Sequence, residues 1–457
     1  MDLKKGKKIR LFVESINSQG DGVARLGEER FVFFVQGALP GEEVEGYIKI
    51  LKKHYGVEKL TSIFTSSPYR TTPSCPWYNA CGGCSLQHAD YSMQLGIKRR
   101  IVSDAFMKSV GIKSSHKVLK CVPSPLKWCY RNKASFPVKK SKKNLNIGFY
   151  MKGSHRIVPI GSCNIVTRDL DDLYKLLLKN ISFLGIDGYD EKRGIGDLRH
   201  IVLRQTTRGD KAVILVLRRF DRKNEKKLKK FILSLSRILG EKVSFHVNLN
   251  PHRGNKIFGE KTITIAGKDS LEEVICNEVV SFGPTSFFQI NRDVAELLFK
   301  EVKDLLEAEG AEQVTELYCG VGAITVTYAR NVKSATVVES WPESVKFLRK
   351  NIEVNKMSNV HVLEGEVENF SANMLFGENK VIILDPPRTG CSRSVLEGIN
   401  SGGPKAVIYV SCNPATLARD VATLIDGGYE LAFVKPFDMF PMTAHVESLA
   451  LLTRKDI

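Results

Sequence analysis

A cysteine lies where a predicted strand meets a predicted helix near the C-terminus. After the strand KAVIYV, the segment SCNPATLARD places Cys412 directly before Asn413 and Pro414, which are suited to cap and begin a helix. Backbone amides at a helix N-terminus favour thiolate over thiol, so we expect the pKa of Cys412 to be lowered. The alternative is a small buried cysteine without chemistry. The place of Cys412 at a strand end favours a nucleophile.

Two glycines follow an earlier strand and predict a nucleoside-binding loop. The strand QVTELY runs into CGVGAITV, where Gly320 and Gly322 let the backbone turn tightly and approach a ligand. Glu339 ends the next strand, at the place where an acid accepts hydrogen bonds from ribose hydroxyls. Thr325 stands where the dinucleotide pattern has its third glycine. We therefore favour S-adenosylmethionine over NAD as the ligand.

An acidic residue ends another strand of the same region. The strand VIILD runs into DPPRTG, so Asp385 lies at the carboxyl edge of the predicted sheet, where ligands of open α/β folds bind. The paired prolines stiffen the following loop. A rigid turn in which Asp385 caps a helix is the alternative. The position of Asp385 in the chain after the glycine loop favours an active-site role.

A cysteine nucleophile beside a methyl-donor pocket suits methylation at carbon 5 of uracil. That carbon is a poor nucleophile, and addition of a thiolate at carbon 6 turns the ring into an enolate that can accept a methyl group. A base must then remove the carbon 5 proton. The segment MFPMTAHVESLALL offers His445 and Glu447, and apolar neighbours raise the pKa of a carboxyl group into the range of a base. A surface acid at a strand start is an equal alternative for Glu447.

Together these segments resemble the RNA uracil-C5-methyltransferases that act on 23S ribosomal RNA and transfer RNA. The resemblance rests on GVGA with its downstream glutamate, DPPR, SCNP and FPMTAHVES, and extends to SFFQIN and LYCG. It implies a class I enzyme that uses S-adenosylmethionine. The implied donor residues are Gln289, Tyr318, Gly320, Gly322, Glu339 and Asp385, with Cys412 as nucleophile and Glu447 as general base.

The chain departs from the family pattern at two places. Some members have Asn directly after the second glycine of the donor loop, where this chain has Ala323. The closing segment FPMTAHVE differs from the commoner FPHTPHVE, but it keeps His445 and Glu447.

Three closely spaced cysteines predict a metal site. Cys75, Cys81 and Cys84 lie in CPWYNACGGC, and we expect a reducing compartment in which such clusters bind metal. Four thiolates are usual for zinc and for iron–sulfur clusters. Cys163 in PIGSCNI is the expected fourth ligand.

The spacing leaves several choices of ligand and metal open. Cys121 and Cys129 are further candidates for the fourth ligand, and spacing does not separate zinc from iron–sulfur. The resemblance favours a [4Fe–4S] cluster over zinc, because the ribosomal-RNA branch of the family has this C-x5-C-G-G-C arrangement and a distant fourth cysteine. A structural or RNA-positioning role is expected rather than redox catalysis.

Positive charge is concentrated in one part of the chain. The net charge is +18 and the pI is about 9.3. Between Met93 and Ile160 there are sixteen Lys or Arg and one acid, Asp104. Clustered cations release counterions from a polyphosphate, so we expect structured RNA as the partner rather than acidic lipid. The densest group is Lys139, Lys140, Lys142 and Lys143.

The order of predicted elements indicates a multidomain α/β protein. Residues 1–68 are short strands with glycine turns and resemble TRAM, an OB-like RNA-binding barrel. Residues 69–270 are expected to form a β-rich, cluster-bearing, RNA-binding domain, with one helical stretch at DLDDLYKLLLKNISFL. A helix at 93–111 is expected to pack on the catalytic domain. Residues 271–457 alternate strands and helices, as in a Rossmann-like methyltransferase domain.

The sequence is compatible with more than one functional class. No apolar run has the length of a membrane span and no signal peptide is recognisable, so we expect a cytoplasmic monomer without membrane contact or an obligate protein partner. The resemblance favours 23S ribosomal RNA as substrate over transfer RNA. Three rival classes are an enzyme acting on an exocyclic nitrogen, a cytosine-C5 enzyme with Cys391 as second cysteine, and a non-catalytic RNA-binding or ribosome-assembly protein.

Overall fold

The computed structural model describes residues 3–141, 144–239 and 242–455. Lys142 and Lys143 of the predicted basic cluster lie outside these ranges. Within them, no helix combines the length and apolar character needed to cross a membrane.

The N-terminal strands close into a barrel with the neighbour order β1-β2-β3-β5-β4. Strands β3 and β5 run parallel, and the other neighbours are antiparallel. Alternate side chains fill the interior, and Gly56 of β5 leaves room for the buried ring of Phe33. The strands are β1 (Lys8–Ile16), β2 (Asp21–Leu26), β3 (Phe31–Gln36), β4 (Glu43–Leu51) and β5 (Tyr55–Thr65).

A helix, α1 (Tyr91–Ser109), precedes a seven-stranded central sheet of order β12-β11-β10-β9-β6-β7-β8. Helices α2 (Arg168–Asn180) and α3 (Arg222–Leu239) pack on one face of this sheet. Its strands are β6 (Lys133–Ser141), β7 (Asn144–Tyr150), β8 (Ile157–Pro159), β9 (Leu198–Gln205), β10 (Lys211–Leu217), β11 (Val243–Leu249) and β12 (Lys261–Ala266).

The sequence predicted one helix among these central strands, and α2 confirms it. The expectation that there is only one was wrong, because α3 is a second helix. Strands β10 and β11 are parallel neighbours, and a parallel pair needs a crossover connection, most often a helix. Helix α3 is this crossover. Its apolar residues Leu228, Phe231, Ile232 and Leu235 follow the i, i+3, i+4, i+7 pattern of one helix face and are buried against the sheet. The helical period was therefore present among the lysines.

The C-terminal part is a second seven-stranded sheet, of order β17-β16-β15-β18-β19-β21-β20. Strands β15 to β19 are parallel, and β21 runs antiparallel to both of its neighbours. The strands are β15 (Gln313–Leu317), β16 (Ser334–Glu339), β17 (Val360–Glu364), β18 (Lys380–Leu384), β19 (Ala406–Ser411), β20 (Tyr429–Phe437) and β21 (Glu447–Arg454).

Strand order reverses between β15 and β18, so their carboxyl ends border a crevice of the kind in which open α/β sheets bind ligands. A hairpin of β13 (Leu271–Ile275) and β14 (Glu278–Phe282) precedes this sheet. Its helices are α4 (Arg292–Ala308), α5 (Thr325–Tyr328), α6 (Pro342–Val354), α7 (Ala372–Leu375), α8 (Arg393–Gly402) and α9 (Pro414–Asp426).

The central sheet and the C-terminal part share one hydrophobic core. The face of β9 and β10 that α2 and α3 do not cover packs against the apolar side of α4. Its residues in this shared cluster are Val202, Ala212, Ile214 and Val216. No gap in packing therefore separates the two parts near residue 270.

A buried ion pair fixes α1 to the segment between β20 and β21. Lys98 Nζ pairs with the carboxylate of Asp438, and neither side chain has exposed surface. Lys98 also donates to the carbonyl of Phe440 (2.9 Å), and the Tyr91 hydroxyl donates to Asp438 (2.8 Å). Helix α1 also packs against α9. The N-terminal half of the chain thus holds a loop of the C-terminal sheet.

We expect Asp438→Ala to destabilise the protein strongly, because the Lys98 ammonium would stay buried without its counter-charge. Breaking a buried pair from one side costs about 3–5 kcal/mol. Glu225→Ala, which breaks the exposed Lys229–Glu225 pair of α3, is the control and should leave the unfolding midpoint nearly unchanged, because exposed ion pairs contribute little to stability. Urea unfolding midpoints of the two variants measure the difference, and equal midpoints would contradict it.

Candidate active site

Cys412 lies between the end of β19 and the start of α9, as the sequence predicted. Asn413 caps the helix by accepting from the amide of Ala415 (3.2 Å), and Pro414 occupies its first turn. The Asn413 amide group also donates to the carbonyl of Arg388 (2.9 Å). These contacts tie the cysteine turn to the loop that follows β18.

The predicted lowering of the Cys412 pKa by the helix N-terminus was wrong. Burial raises the pKa of this thiol, and the nearby Glu447 carboxylate and Asp385 raise it further. A hydrogen bond from Arg388 and the positive charge of this guanidinium act in the opposite direction. Desolvation and the two neighbouring acids are therefore the causes that raise this pKa.

Glu447 is deeply buried at the first position of β21 and is not a surface acid. Only 3% of its surface is exposed. Ser411 pairs with Ser448 in the antiparallel register of β19 and β21, so the strands bring Glu447 beside Cys412. Burial raises the Glu447 pKa well above its ordinary value, and Asp385 raises it further. Such a carboxyl group can act as a base near neutral pH.

Asp385 follows β18 at the carboxyl edge of the sheet. It lies between the glycine loop after β15 and the cysteine turn after β19. Its amide donates to the carbonyl of Leu317 at the end of β15 (3.4 Å). The residue keeps some accessible surface, but protein surrounds its carboxylate, and this burial raises the pKa of Asp385 to about 7. Adjacent strands thus bring Asp385, Cys412 and Glu447 to one edge.

The glycine loop after β15 is held by Glu339. Gly320 donates its amide to one carboxylate oxygen of Glu339 (2.9 Å), and the other oxygen accepts from the amides of Ser340 and Trp341 (2.9 and 2.7 Å). The φ angle of Gly320 is +58°, and no other atom lies within 4 Å of where its Cβ would stand. The loop therefore leaves open space beside Glu339.

Tyr318 lies next to this loop and lines a cavity of about 820 Å³. Glu366, Glu368 and Cys391 line the same cavity. Cys391 is buried, hydrogen-bonds with Tyr318, and donates its amide to Asp420 (2.9 Å). The structure therefore places Cys391 with Tyr318 rather than with Cys412.

Gln289 lies in the loop between β14 and α4 and is only 8% exposed. Hydrogen bonds from the central sheet and from the residue directly before β6 hold this loop. Asn132 donates to the carbonyl of Gln289 (3.0 Å), and the buried guanidinium of Arg204 donates to the carbonyl of Ser286 (2.6 Å). Gln289 thus depends on β9 for its position, although β9 is far away in the sequence.

Arg388 is the residue of the site that sequence reasoning missed. It is the last residue of DPPR, and it contacts Cys412 and lowers the pKa of both Cys412 and His445. Its carbonyl also accepts from Asn413 and Thr416 of α9 (2.9 and 3.3 Å). A cation in a stiff loop beside a strand-end acid was a signal in the sequence that could have identified it.

The four cysteines of the predicted metal site line one cavity of about 270 Å³. Burial is the main cause that raises the pKa of Cys84 to about 12 and of Cys163 to about 11. Residues 3–141, 144–239 and 242–455 contain no group of three or more His, Cys, Asp or Glu side chains arranged to hold a metal ion. The four cysteines thus share one cavity and are of the residue type that binds zinc and iron–sulfur clusters, but the structure does not show them arranged as a metal site.

Neither of the two remaining candidates for the fourth ligand is among the residues that line this cavity. Cys121 is buried near Asp438 and Lys98, and Cys129 contacts the carbonyl of Asn164 (3.7 Å). Cys163, which lines the cavity, is therefore the candidate whose position agrees best with the prediction.

Comparison with known proteins identifies two matching regions. The family described as tRNA (Uracil-5-)-methyltransferase matches residues 91–455, and the TRAM domain matches residues 2–56. A Clostridium tetani protein named as an uncharacterized RNA methyltransferase is 36% identical over 99% of this chain and 97% of its own length. A Listeria monocytogenes protein of the same description is 37% identical over 98% of both chains.

A solved structure resembles this chain over nearly its full length. It is the Pyrococcus abyssi tRNA (uracil-54, C5)-methyltransferase in complex with S-adenosyl-L-homocysteine. The TM-score is 0.76 at 25% sequence identity, and the match covers 97% of this chain and 99% of the other.

We expect Arg388→Met to slow alkylation of Cys412 by iodoacetamide at a fixed pH near 8. The thiolate is the reacting form, and loss of the Arg388 cation and hydrogen bond raises the pKa of the thiol further. Glu447→Gln should act in the opposite direction, because it removes a negative charge. The pH–rate profile, followed by mass spectrometry of the Cys412 peptide, measures both shifts.

Arg393→Met, at an exposed arginine of α8, is the matched control and should leave the profile unchanged. Equal profiles for Arg388→Met and Arg393→Met would show that Arg388 does not control the thiol.

Proposed function

The chain belongs to the tRNA (uracil-5-)-methyltransferase family, and from this premise we propose that it methylates carbon 5 of a specific uridine in RNA with S-adenosylmethionine as donor. One observation carries the proposal. The buried Glu447 lies beside Cys412 at the sheet edge that also holds Asp385 and the glycine loop. An enzyme that methylates an exocyclic nitrogen needs no such pair of nucleophile and base.

In the proposed reaction Cys412 loses its thiol proton to water and its sulfur adds to carbon 6 of the uracil. The ring electrons move onto the carbon 4 oxygen, and Arg388 offers the nearest positive charge to the thiolate. S-adenosylmethionine supplies the methyl group as an electrophile. Carbon 5 takes the methyl group, and S-adenosylhomocysteine leaves with the electron pair of the broken carbon–sulfur bond.

Glu447 completes the cycle as the general base. Its carboxylate takes the proton from carbon 5, the carbon 5–carbon 6 double bond forms again, and the bond between carbon 6 and the Cys412 sulfur breaks. A carboxyl group with a pKa raised by burial suits this transfer. The thiolate leaves as it entered, so one proton is released for each methyl group transferred.

We assign the donor site to six residues around the strand-order reversal. Glu339 suits the ribose hydroxyls, since its carboxylate still has acceptor capacity beyond its three amide contacts. The open space at Gly320 accommodates a nucleoside. The Pyrococcus relative, solved with S-adenosyl-L-homocysteine, supports this donor. The full set is Gln289, Tyr318, Gly320, Gly322, Glu339 and Asp385.

The substrate we favour is 23S ribosomal RNA, and the enzyme is proposed to work in the cytoplasm as a monomer. The assignment rests on the N-terminal barrel together with the four-cysteine cavity. In it, residues 1–68 bind RNA, residues 69–270 bind RNA and carry the cluster, and residues 271–457 methylate. Transfer RNA is the second candidate, because the similar Pyrococcus structure is a tRNA (uracil-54, C5)-methyltransferase.

The cysteine cavity is proposed to hold a [4Fe–4S] cluster through Cys75, Cys81, Cys84 and Cys163. Four thiols around one cavity are the donor set that such a cluster takes. Zinc is the less favoured metal. The role of the cluster is to fix the 75–84 loop against the central sheet, and no step of the methylation uses it.

We expect Cys412→Ala to abolish 5-methyluridine formation, because no other group takes the place of the carbon 6 nucleophile. RNA containing 5-fluorouridine should form a denaturation-resistant adduct with the unaltered protein and none with Cys412→Ala. Gel electrophoresis and mass spectrometry of the cross-linked peptide measure this. Cys391→Ser is the control and should retain the adduct, whereas its loss there would favour a two-cysteine mechanism.

Glu447→Gln provides a second readout of the same mechanism. Without the base, the adduct should persist on ordinary uridine RNA after methyl transfer, while turnover falls by about 100-fold or more. Absence of any adduct with Cys412 intact would falsify the covalent mechanism.

The choice of substrate is tested by mapping 5-methyluridine in RNA from cells that lack this protein. We expect one or more 5-methyluridines to disappear from 23S ribosomal RNA and to return with the intact gene but not with a Cys412→Ala copy. Loss in transfer RNA alone would select the second candidate.

The metal is tested on protein purified without oxygen. Iron and acid-labile sulfide should be present in near-equal amounts, and Cys163→Ser should lower both. Cys129→Ser, at a cysteine outside the cavity lining, is the matched control. Zinc in place of iron would overturn the iron–sulfur assignment and leave the ligand set standing.

A further inference from the structure

The central sheet carries a second cavity, which none of the ten cysteines lines and which is separate from the strand ends around Cys412. It has a volume of about 580 Å³ and lies between β6, β7 and the loops near residues 189–192 and 254–257. We call it the sheet groove. Lys139, Tyr150, His155, Tyr189, Lys192 and Arg199 define it.

The groove exists because the central sheet is only partly covered. Helices α2 and α3 cover one face, and the C-terminal part covers β9 and β10 on the other through Val202, Ile214 and Val216. Among the described residues, this shared cluster includes none from β6 or β7. The sheet groove adjoins the cysteine cavity, with which it shares Ser135, Phe149 and Ile257.

Aromatic rings at the groove suit a flat ligand. Tyr150 is 40% exposed, and its ring lies 5.6 Å from that of His155 at a 40° angle. The guanidinium of Arg199 lies over the ring of Tyr189, at 5.1 Å. Proteins bind unpaired RNA bases by stacking them on such rings and on guanidinium planes.

The charge of the groove suits an anion. Lys139, Lys192 and Arg199 line it, against one acid, Glu191, which is engaged with His155 Nδ1 (3.4 Å). Two of the cations, Lys139 and Lys192, are exposed at the rim. Phosphates of a nucleic-acid backbone are attracted to such a rim.

The walls are preorganised, and two buried polar groups there lack partners. Arg199 donates to the carbonyls of Asn250 (2.8 Å) and Gly254 (3.3 Å), which fixes the 250–254 loop. Arg199 and His200 are 5% and 9% exposed, and Arg199 Nε and His200 Nδ1 have no hydrogen-bond partner among the described residues. Buried polar atoms rarely stay unpaired, so these atoms point to a polar ligand.

We propose that the sheet groove binds one unpaired nucleotide of the RNA substrate, outside the methylation site. Its base stacks on Tyr150 and His155, and Lys139 and Lys192 hold the adjoining phosphates. The volume lies within the range of roughly 300–1,000 Å³ typical of ligand sites. This inference rests on the proposed function for the identity of the RNA, and it makes the groove a specificity site that selects substrates with a splayed base at a fixed distance from the target uridine.

The test combines Tyr150→Ala with Lys192→Ala. We expect KM for the RNA to rise by about tenfold or more, since stacking of a single base accounts for a factor of this size, while kcat stays within about twofold. Binding of S-adenosylhomocysteine, measured by calorimetry, should not change. Tyr150→Phe with Lys192→Arg keeps ring and charge and should restore the unaltered KM.

The matched control is Phe183→Ala with Lys230→Ala. Both residues are exposed on the helix-covered side of the sheet, so RNA affinity should be nearly unchanged. A substrate that carries 4-thiouridine should, after irradiation, cross-link to residues 147–157 in the unaltered protein and not in the groove variant.

The groove and the proposed function fail in different ways. If the unaltered protein forms no 5-methyluridine in RNA, the proposed function fails. If it methylates RNA while the groove variant keeps the same KM and the same cross-links, the groove inference is overturned. A protein partner as occupant would give that second result.

Discussion

The buried contact between Lys98 and Asp438 holds the loop that leads to Glu447, the proposed base. Asp438 is the first residue of the loop between β20 and β21, and Glu447, the first residue of β21, directly follows this loop. Two further hydrogen bonds hold the same loop. The Tyr130 hydroxyl donates to the carbonyl of Pro441 (3.1 Å), and the amide of Met442 donates to the side-chain oxygen of Gln94 (2.9 Å). An ion pair without water around it tolerates little displacement of either partner. The position of Glu447 therefore depends on α1 and on the strand-rich part of the chain.

The electrostatics of the site follow from this enclosure. Glu447, Asp385 and Cys412 each have a raised pKa, and burial is the first cause for all three. Arg388 is the cation that works against it. A negative charge on Glu447 or Asp385 raises the pKa of the Cys412 thiol, so the three acidic groups influence one another.

The central sheet serves two surfaces at once. Through Arg204 and Asn132 it supports the loop of Gln289, and at its other end it leaves the sheet groove open. Strand β9 takes part in both regions, with Arg204 near the loop of Gln289 and His200 at the sheet groove. An RNA bound in the groove would therefore lie on the same strand that supports the loop of Gln289. A continuous sheet is a stiff means of setting the distance between two contacts.

The sequence alone determined the alternation of strands and helices after residue 310, the turns at Gly320, Asp385 and Cys412, and the barrel strands, because each depends on local periodicity and turn chemistry. It missed α3, although the helical period of its apolar residues is present in the sequence. The parallel pairing of β10 with β11, which requires this crossover, is a contact between distant segments. The pKa of Cys412 also followed from the tertiary structure, since burial and Glu447 come from strands that the chain reaches only after folding. The same reason explains why the shared core of the two sheets and the sheet groove could not be predicted from spacing, whereas Arg388 could have been identified from its place in the stiff DPPR loop. The local sequence pattern determines the secondary structure of each segment, whereas desolvation and the proximity of charges depend on which segments come into contact in the folded chain.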